Sequence, residues 1–215
     1  MVLSSRLSLA ASLIPEGRIV RDIGADHGLL SLFLAARGQK VYAVENKEGP
    51  FRHLLSSLKE NPTSLVTPLF QDGRQTLPKD VSGVILLGRG GRTIEGILSA
   101  AKEKLERLSF VLIEPQSDFS LPISFLLHSG FVNDGGCYVF ERRYYPLLSF
   151  RKGKERIYSK AEYQFGPYPL SSHDRLLREY LDKEIESLSR LDEKARQTKG
   201  EALSLLLDAK AYRRK

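Results

Sequence analysis

Four short stretches combine carboxylates with glycine in a way that suits a small charged ligand. The first, Asp22-Ile23-Gly24-Ala25-Asp26-His27-Gly28, lies between a strand-like run and a helix-like one. In an alternating α/β fold such a turn aims backbone amides at a ligand, and Gly24 permits close backbone approach. Phosphate is a poor match, because Asp26 stands where a dinucleotide-binding turn has its second glycine. Its carboxylate would repel pyrophosphate but attract the cationic sulfonium or amino end of S-adenosylmethionine. Glu45, roughly 20 positions beyond the turn, ends the second strand-like run and is placed to accept from ribose hydroxyls. Asp72-Gly73 follows the third run, where an acid accepts from an adenine amino group and glycine leaves room for the ring. Gly88-Arg89-Gly90-Gly91-Arg92 follows the fourth, a flexible cationic loop that suits an incoming nucleotide. Each stretch alone also reads as a plain turn; their order along one sheet edge is what points to a ligand.

Such a site needs strands and helices in alternation, and the hydrophobic pattern supplies them. Arg6 to Leu13 has helical spacing and stops at Pro15-Glu16-Gly17. Arg18 to Ile23 reads as a strand, Leu29 to Ala36 as a helix closed by Gly38, and Lys40 to Val44 as a second strand. Gly49-Pro50-Phe51 opens a helix that Asn61-Pro62 ends. Strands at Leu65–Phe70, Gly83–Leu87 and Phe110–Ile113 alternate with helical patterns at Ile94–Leu105 and Ile123–Leu127. The fold class predicted is a doubly wound, Rossmann-like α/β domain with a mostly parallel sheet. After Gly130 the pattern becomes an antiparallel edge hairpin, with Asn133-Asp134-Gly135-Gly136 read as its turn. Gly166-Pro167 reads as a linker. Beyond it Leu177, Leu181, Ile185, Leu188, Leu191 and Ala195, then Ala202, Leu205, Leu206 and Ala209, predict an antiparallel helical hairpin packed through its own seam. The expected division is residues 1–165 for the ligand-binding domain and 166–215 for the helical extension.

Composition narrows the setting. The 215 residues are 41% apolar and carry a formal charge of +7, which makes an anionic partner plausible. A single cysteine, Cys137, excludes an intramolecular disulfide and a Cys-based zinc site, and no metal is expected. The opening residues lack a signal-peptide core and no run approaches a membrane span, so a soluble cytoplasmic protein without a membrane partner is expected, as a monomer. Arg142, Arg143, Arg151, Lys152, Lys154, Arg156 and Lys160 alternate with Tyr144, Tyr145, Phe150 and Tyr158. Cations there would track phosphate and aromatics would stack on bases, unless the aromatics pack inward and the charges are solvated.

A family resemblance joins these stretches. Arg6-Leu7, Asp22 to His27, Glu48-Gly49-Pro50-Phe51, Asp72-Gly73, Gly88-Arg89-Gly90-Gly91, Leu112-Ile113-Glu114-Pro115-Gln116 and Phe165-Gly166-Pro167, in that order, resemble the bacterial TrmK family of tRNA (adenine(22)-N1) methyltransferases. The resemblance implies a seven-stranded methyltransferase core that binds S-adenosylmethionine, with a coiled-coil-like tail that helps hold tRNA. It implies cofactor contacts from Asp22, Gly24, Ala25, Asp26, Glu45, Asn46, Asp72, Gly73 and Gly88. Substrate contacts are implied for Arg6, Arg89, Gly90, Gly91 and Gln116. Transfer to adenine N1 needs orientation more than covalent catalysis, and Asp26 and His27 are the candidates to hydrogen-bond the adenine amino group or accept its proton. The chain departs from the family where Gly28-Leu29-Leu30-Ser31 replaces Ala-Tyr-Leu-Pro, where Arg89 replaces methionine, and where Glu114-Pro115-Gln116 replaces Gln-Pro-Asn. Arg89 would either repel a cationic methyl donor or turn outward to a phosphate.

Three other readings share parts of this pattern. A diverged protein could bind S-adenosylmethionine or RNA without catalysis, and a small-molecule methyltransferase would make the basic stretch incidental. A nucleotide-dependent dehydrogenase conflicts with Asp26.

Overall fold

The computed structural model describes residues 3–75, 77–154, 156–191 and 198–213. Ala195, which the sequence pattern assigns to the first tail helix, lies outside them. Helix α1 (Ser5–Leu13) starts where the Ser4 side chain accepts from the Leu7 amide, satisfying one of the donors a helix start leaves free. There follow β1 (Val20–Ile23), α2 (Leu29–Ala36), β2 (Val41–Glu45), α3 (Glu48–Glu60), β3 (Val66–Phe70), β4 (Gly83–Arg89) and α4 (Gly91–Ala100). A 3₁₀ turn (Lys102–Arg107) leads to β5 (Phe110–Pro115) and α5 (Ser120–His128).

The sheet has seven strands in the order β3-β2-β1-β4-β5-β7-β6, where β6 is Phe131–Glu141 and β7 is Arg143–Lys152. β1 to β5 are parallel, and β7 runs antiparallel to both β5 and β6. β1 and β5 are buried throughout, as strands covered on both faces must be. Ala10, Leu34 and Leu54 from α1, α2 and α3 pack with Val20, Ile85 and Leu112 on one face. Ile94, Leu98, Ile123 and Leu126 from α4 and α5 pack with Val84, Leu86, Val111 and Ile113 on the other. At about 1.5–3 kcal/mol per buried aliphatic side chain, these two layers fix the sheet. The chain leaves β1 for β2 on one side and returns to β4 on the other, which opens a crevice at the carboxyl ends of β1 and β4.

The edge hairpin corrects the sequence reading. Asn133-Asp134-Gly135-Gly136 is not the turn but a bulge inside β6, where the register with β7 shifts between Asn133 and Gly135. Asn133 Nδ2 donates to the Gly135 and Ser149 carbonyls, and a Cβ at Gly136 would lie 2.4 Å from the Leu147 carbonyl oxygen. The glycines therefore serve close strand approach. The true turn is Glu141-Arg142-Arg143, with Arg142 at φ +63°, and β7 runs from there to Lys152.

The tail also departs from a self-packed hairpin. It comprises α6 (Lys160–Phe165), α7 (Pro167–Ser171), α8 (Arg175–Ser189) and α9 (Gly200–Lys210). Leu177 and Leu181 of α8 meet Leu206 and Ala209 of α9, and the same cluster contains Tyr138 of β6, Ala161 and Phe165. Lys183 of α8 sits over the Phe140 and Tyr144 rings at 5.4 and 4.9 Å from their centroids. Glu162 of α6 accepts from Arg156, the Ser159 amide and the Tyr212 hydroxyl, fastening the residues after α9 to the segment between β7 and α6. The seam is thus shared with the hairpin.

Candidate active site

The turn after β1 owes its shape to three left-handed residues, Gly24 (φ +87°), Asp26 (φ +48°) and Gly28 (φ +69°). Gly24 and Ala25 donate to the Val44 carbonyl, which pins the turn to β2. Asp22 is 4% exposed and accepts from the Ser31 hydroxyl at 2.7 Å. Burial pushes its carboxyl up to about 6, against the Ser31 hydrogen bond; Glu45 pushes the same way as burial, and Arg89 opposes it.

Glu45 is 3% exposed and well supplied with donors. Its Oε1 accepts from the Asp26 amide at 2.9 Å and its Oε2 from the Asn46 amide at 3.3 Å. Arg89 Nη2 adds a third contact at 3.4 Å. The Arg89 guanidinium is therefore turned inward. It lies across Gly24, where a Cβ would come within 2.0 Å of Nη2. Of the two orientations that the sequence leaves open, inward beside the proposed methyl donor or outward to a phosphate, the side chain takes the inward one and pairs with the buried acid.

Two adjoining cavities make up the crevice. Asp22, Gly24, Ala25, Asp26, His27, Glu45 and Gly88 line the larger, of about 410 Å³, together with Arg6, Arg89 and Gln116. Gly24, Glu45, Asn46, Asp72, Gly73 and Arg89 line the smaller, of about 180 Å³. Gly24, Glu45 and Arg89 belong to both. The larger cavity falls in the ~300–1,000 Å³ range of small-molecule sites. Gly90 and Gly91 line neither; Gly90 caps α4, and a Cβ at Gly91 would meet the Asp118 carbonyl oxygen at 2.2 Å.

One residue that sequence reasoning passed over, Arg21, and two that it named, Arg6 and His27, hold this crevice together. Arg21, 1% exposed, donates from Nη1 to the carbonyls of Gly73 (3.2 Å) and Gln75 (3.1 Å), fixing the loop that carries Asp72. A lone arginine inside an apolar strand was its only signal. Arg6 Nη1 pairs with Glu114 at 2.6 Å and its Nε with Glu141 at 3.1 Å, so α1 joins the end of β5 to the hairpin tip. Glu114 is wholly buried, and its Oε1 has no partner among the described residues. Burial raises its carboxyl pKa despite Arg6. At the mouth, the His27 ring stacks on His53 at 4.6 Å, and His27 Nε2 lies 3.8 Å from Asp26.

Much of the basic stretch is engaged within the protein. Arg151 pairs with Asp134 at 2.8 Å, Arg156 with Glu162 at 2.6 Å, and Lys152 lies over the Phe131 ring. Phe150 and Tyr158 are buried. Arg142 and Arg143 remain exposed at the hairpin tip, beside the Arg6–Glu141 pair.

A doubly wound sheet ending in an antiparallel pair, with an acid-lined crevice at its switch point, defines the Rossmann-like methyltransferase fold. The chain belongs to the family described as a methyltransferase domain, whose model matches residues 3–148. It is 31% identical over 117 residues to the tRNA (adenine(22)-N(1))-methyltransferase of Bacillus subtilis (strain 168), a match that covers 53% of this chain and 49% of the relative. The chain thus matches about half the length of that curated relative. The crystal structure of Streptococcus pneumoniae Sp1610 in complex with S-adenosyl-L-methionine superimposes with a TM-score of 0.88 at 25% identity, covering 97% of this chain and 100% of that one. M. capricolum TrmK in complex with S-adenosyl-homocysteine gives 0.83 at 19% identity, covering 98% and 99%. No helix among the described residues is long and apolar enough to cross a membrane.

Proposed function

We propose that this chain is an S-adenosylmethionine-dependent tRNA methyltransferase that modifies N1 of an adenine, adenine 22 by family likeness, in the cytoplasm. The observation that carries this reading is the crevice itself: Asp22, Glu45 and Asp72, from the ends of β1, β2 and β3, line two adjoining cavities that share Gly24, Glu45 and Arg89. That donor set suits a ligand with a positive charge at one end and a ribose in the middle. Backbone at Gly24 and Ala25, with Asp22, Asp26 and Gly88, would hold the amino-acid end. Glu45 and Asn46 would take the ribose, and Asp72 with Gly73 the adenine. S-adenosylmethionine, when bound, supplies an electrophilic methyl carbon on its sulfonium.

The protein's part is orientation and charge. Arg6 and Gln116 would seat the target base with N1 toward the sulfonium and Arg89 would meet its nucleotide, while Gly90 and Gly91, which line neither cavity, would touch the substrate only outside the crevice. Asp26 or His27, at the mouth, would hydrogen-bond the adenine amino group or take its proton as N1 gains the methyl. The 1–165 body would do the chemistry while the 166–215 tail and the exposed Arg142 and Arg143 steady the RNA. The likeness to the Bacillus relative and to the cofactor complexes supports this assignment.

Incubation with methyl-labelled S-adenosylmethionine and unmodified tRNA, followed by nucleoside analysis, tests it. Label should appear in N1-methyladenosine and vanish when adenine 22 is replaced. Binding of the cofactor with no label transferred to any tRNA would leave the diverged binding protein as the better reading.

A further inference from the structure

The crevice has one feature at odds with the ligand proposed for it. An adenosyl ligand reaching from Asp72 to Asp26 has to pass Glu45 and cross the face of Gly24. That is where the Arg89 guanidinium lies, near enough that even one added carbon on Gly24 would collide with it. Arg89 is the wall between the two cavities, since it lines both together with Gly24 and Glu45. Its charge also answers the two buried carboxylates, Glu45 by contact at 3.4 Å and Asp22 at longer range.

The hold on Arg89 is slight. Its Nη2–Glu45 contact is long for a charge-assisted hydrogen bond, which usually spans about 2.7–2.9 Å. Its side chain is 29% exposed, so solvent is within reach of a rotamer change. Glu45 keeps two backbone donors when the guanidinium leaves. The ribose hydroxyls of an adenosyl ligand can therefore take the place of the guanidinium on Glu45 without stranding a buried carboxylate.

We infer that Arg89 is a resident cation of the crevice, one that an adenosyl ligand must expel from Glu45 in order to bind, and that this exchange sets both the affinity of the site and its preference for ligand charge. This rests on the cofactor reading above. Expelling the side chain lowers affinity for every adenosyl ligand. Because the displaced guanidinium stays on a short tether nearby, it also disfavours the sulfonium of S-adenosylmethionine relative to the neutral thioether of S-adenosylhomocysteine.

Calorimetric titration of wild type and Arg89→Met with both compounds tests the exchange. The variant should bind S-adenosylhomocysteine about tenfold tighter than wild type, and S-adenosylmethionine tighter by a larger factor. Equal or weaker binding by the variant overturns the exchange and leaves the cofactor reading standing. Failure of both proteins to bind either compound sinks the cofactor reading, and the exchange with it. A second measurement needs no variant: in crystals of wild type soaked with S-adenosylhomocysteine, the guanidinium should have left Glu45 and Gly24. Arg89 still seated on Glu45 beside the bound ligand would overturn the inference.

Discussion

Two glutamates at the carboxyl edge of the sheet each meet an arginine from another segment, and the two pairs are built differently. Glu114 of β5 is wholly buried and takes one short bond from Arg6, with no other partner among the described residues for its second oxygen. Glu45 of β2 is almost as buried, but backbone amides serve both of its oxygens before Arg89 arrives. A carboxylate that depends on one side chain makes that side chain structural. A carboxylate already supplied by the backbone leaves its arginine free to be exchanged.

The contrast can be broken most directly by removing each arginine in turn. Arg6→Met strands Glu114 and should cost about 3–4 kcal/mol in urea unfolding, whereas Arg89→Met should cost about 1 kcal/mol or less. Equal losses would erase the distinction. Asp22 sharpens it through pH. Its folded pKa is raised to about 6 from 3.8, so the fold retains a proton that the unfolded chain has already released. Stability from this group is complete below about pH 4 and is lost as pH rises through about 6, on the order of 3 kcal/mol in total. Thermal melts of Asp22→Asn should show that slope removed, and Arg89→Met should extend it to higher pH by withdrawing the charge that favours the ionised form. The smallest effect belongs to Glu141, the exposed arm of the Arg6 bridge. Glu141→Gln should change stability by a few tenths of a kcal/mol, and a loss as large as that of Arg6→Met would mean the hairpin tip, not Glu114, anchors α1.

The alternation of strands and helices was legible because each element carries its own period and ends in glycine or proline, as at Gly38 and Asn61-Pro62. The acids of the crevice were legible for a related reason: strand ends put them on one edge once the sheet is parallel. What stayed hidden was decided by contacts remote in sequence. Arg6 and Glu114 lie 108 positions apart, and nothing local marks them as a pair. The direction of Arg89 depends on Glu45, 44 positions earlier. The hairpin turn was misplaced because Asn133-Asp134-Gly135-Gly136 has turn composition but serves a bulge, while the true turn puts an arginine, Arg142, in a conformation that usually selects glycine or asparagine. The shared seam of the tail escaped notice because helical periodicity reveals that a face is apolar without saying what will cover it.

The bridge from α1 has a mechanical implication. A helix of nine residues grips both the end of β5 and the apex of the outermost hairpin, so the rim that carries Arg142 and Arg143 is leashed to the interior rather than hinged apart from it. A force applied to that rim reaches the end of β5 through the Arg6 guanidinium as well as through the β5–β7 pairing, so loosening Arg6 would slacken the tip before the sheet itself gives way.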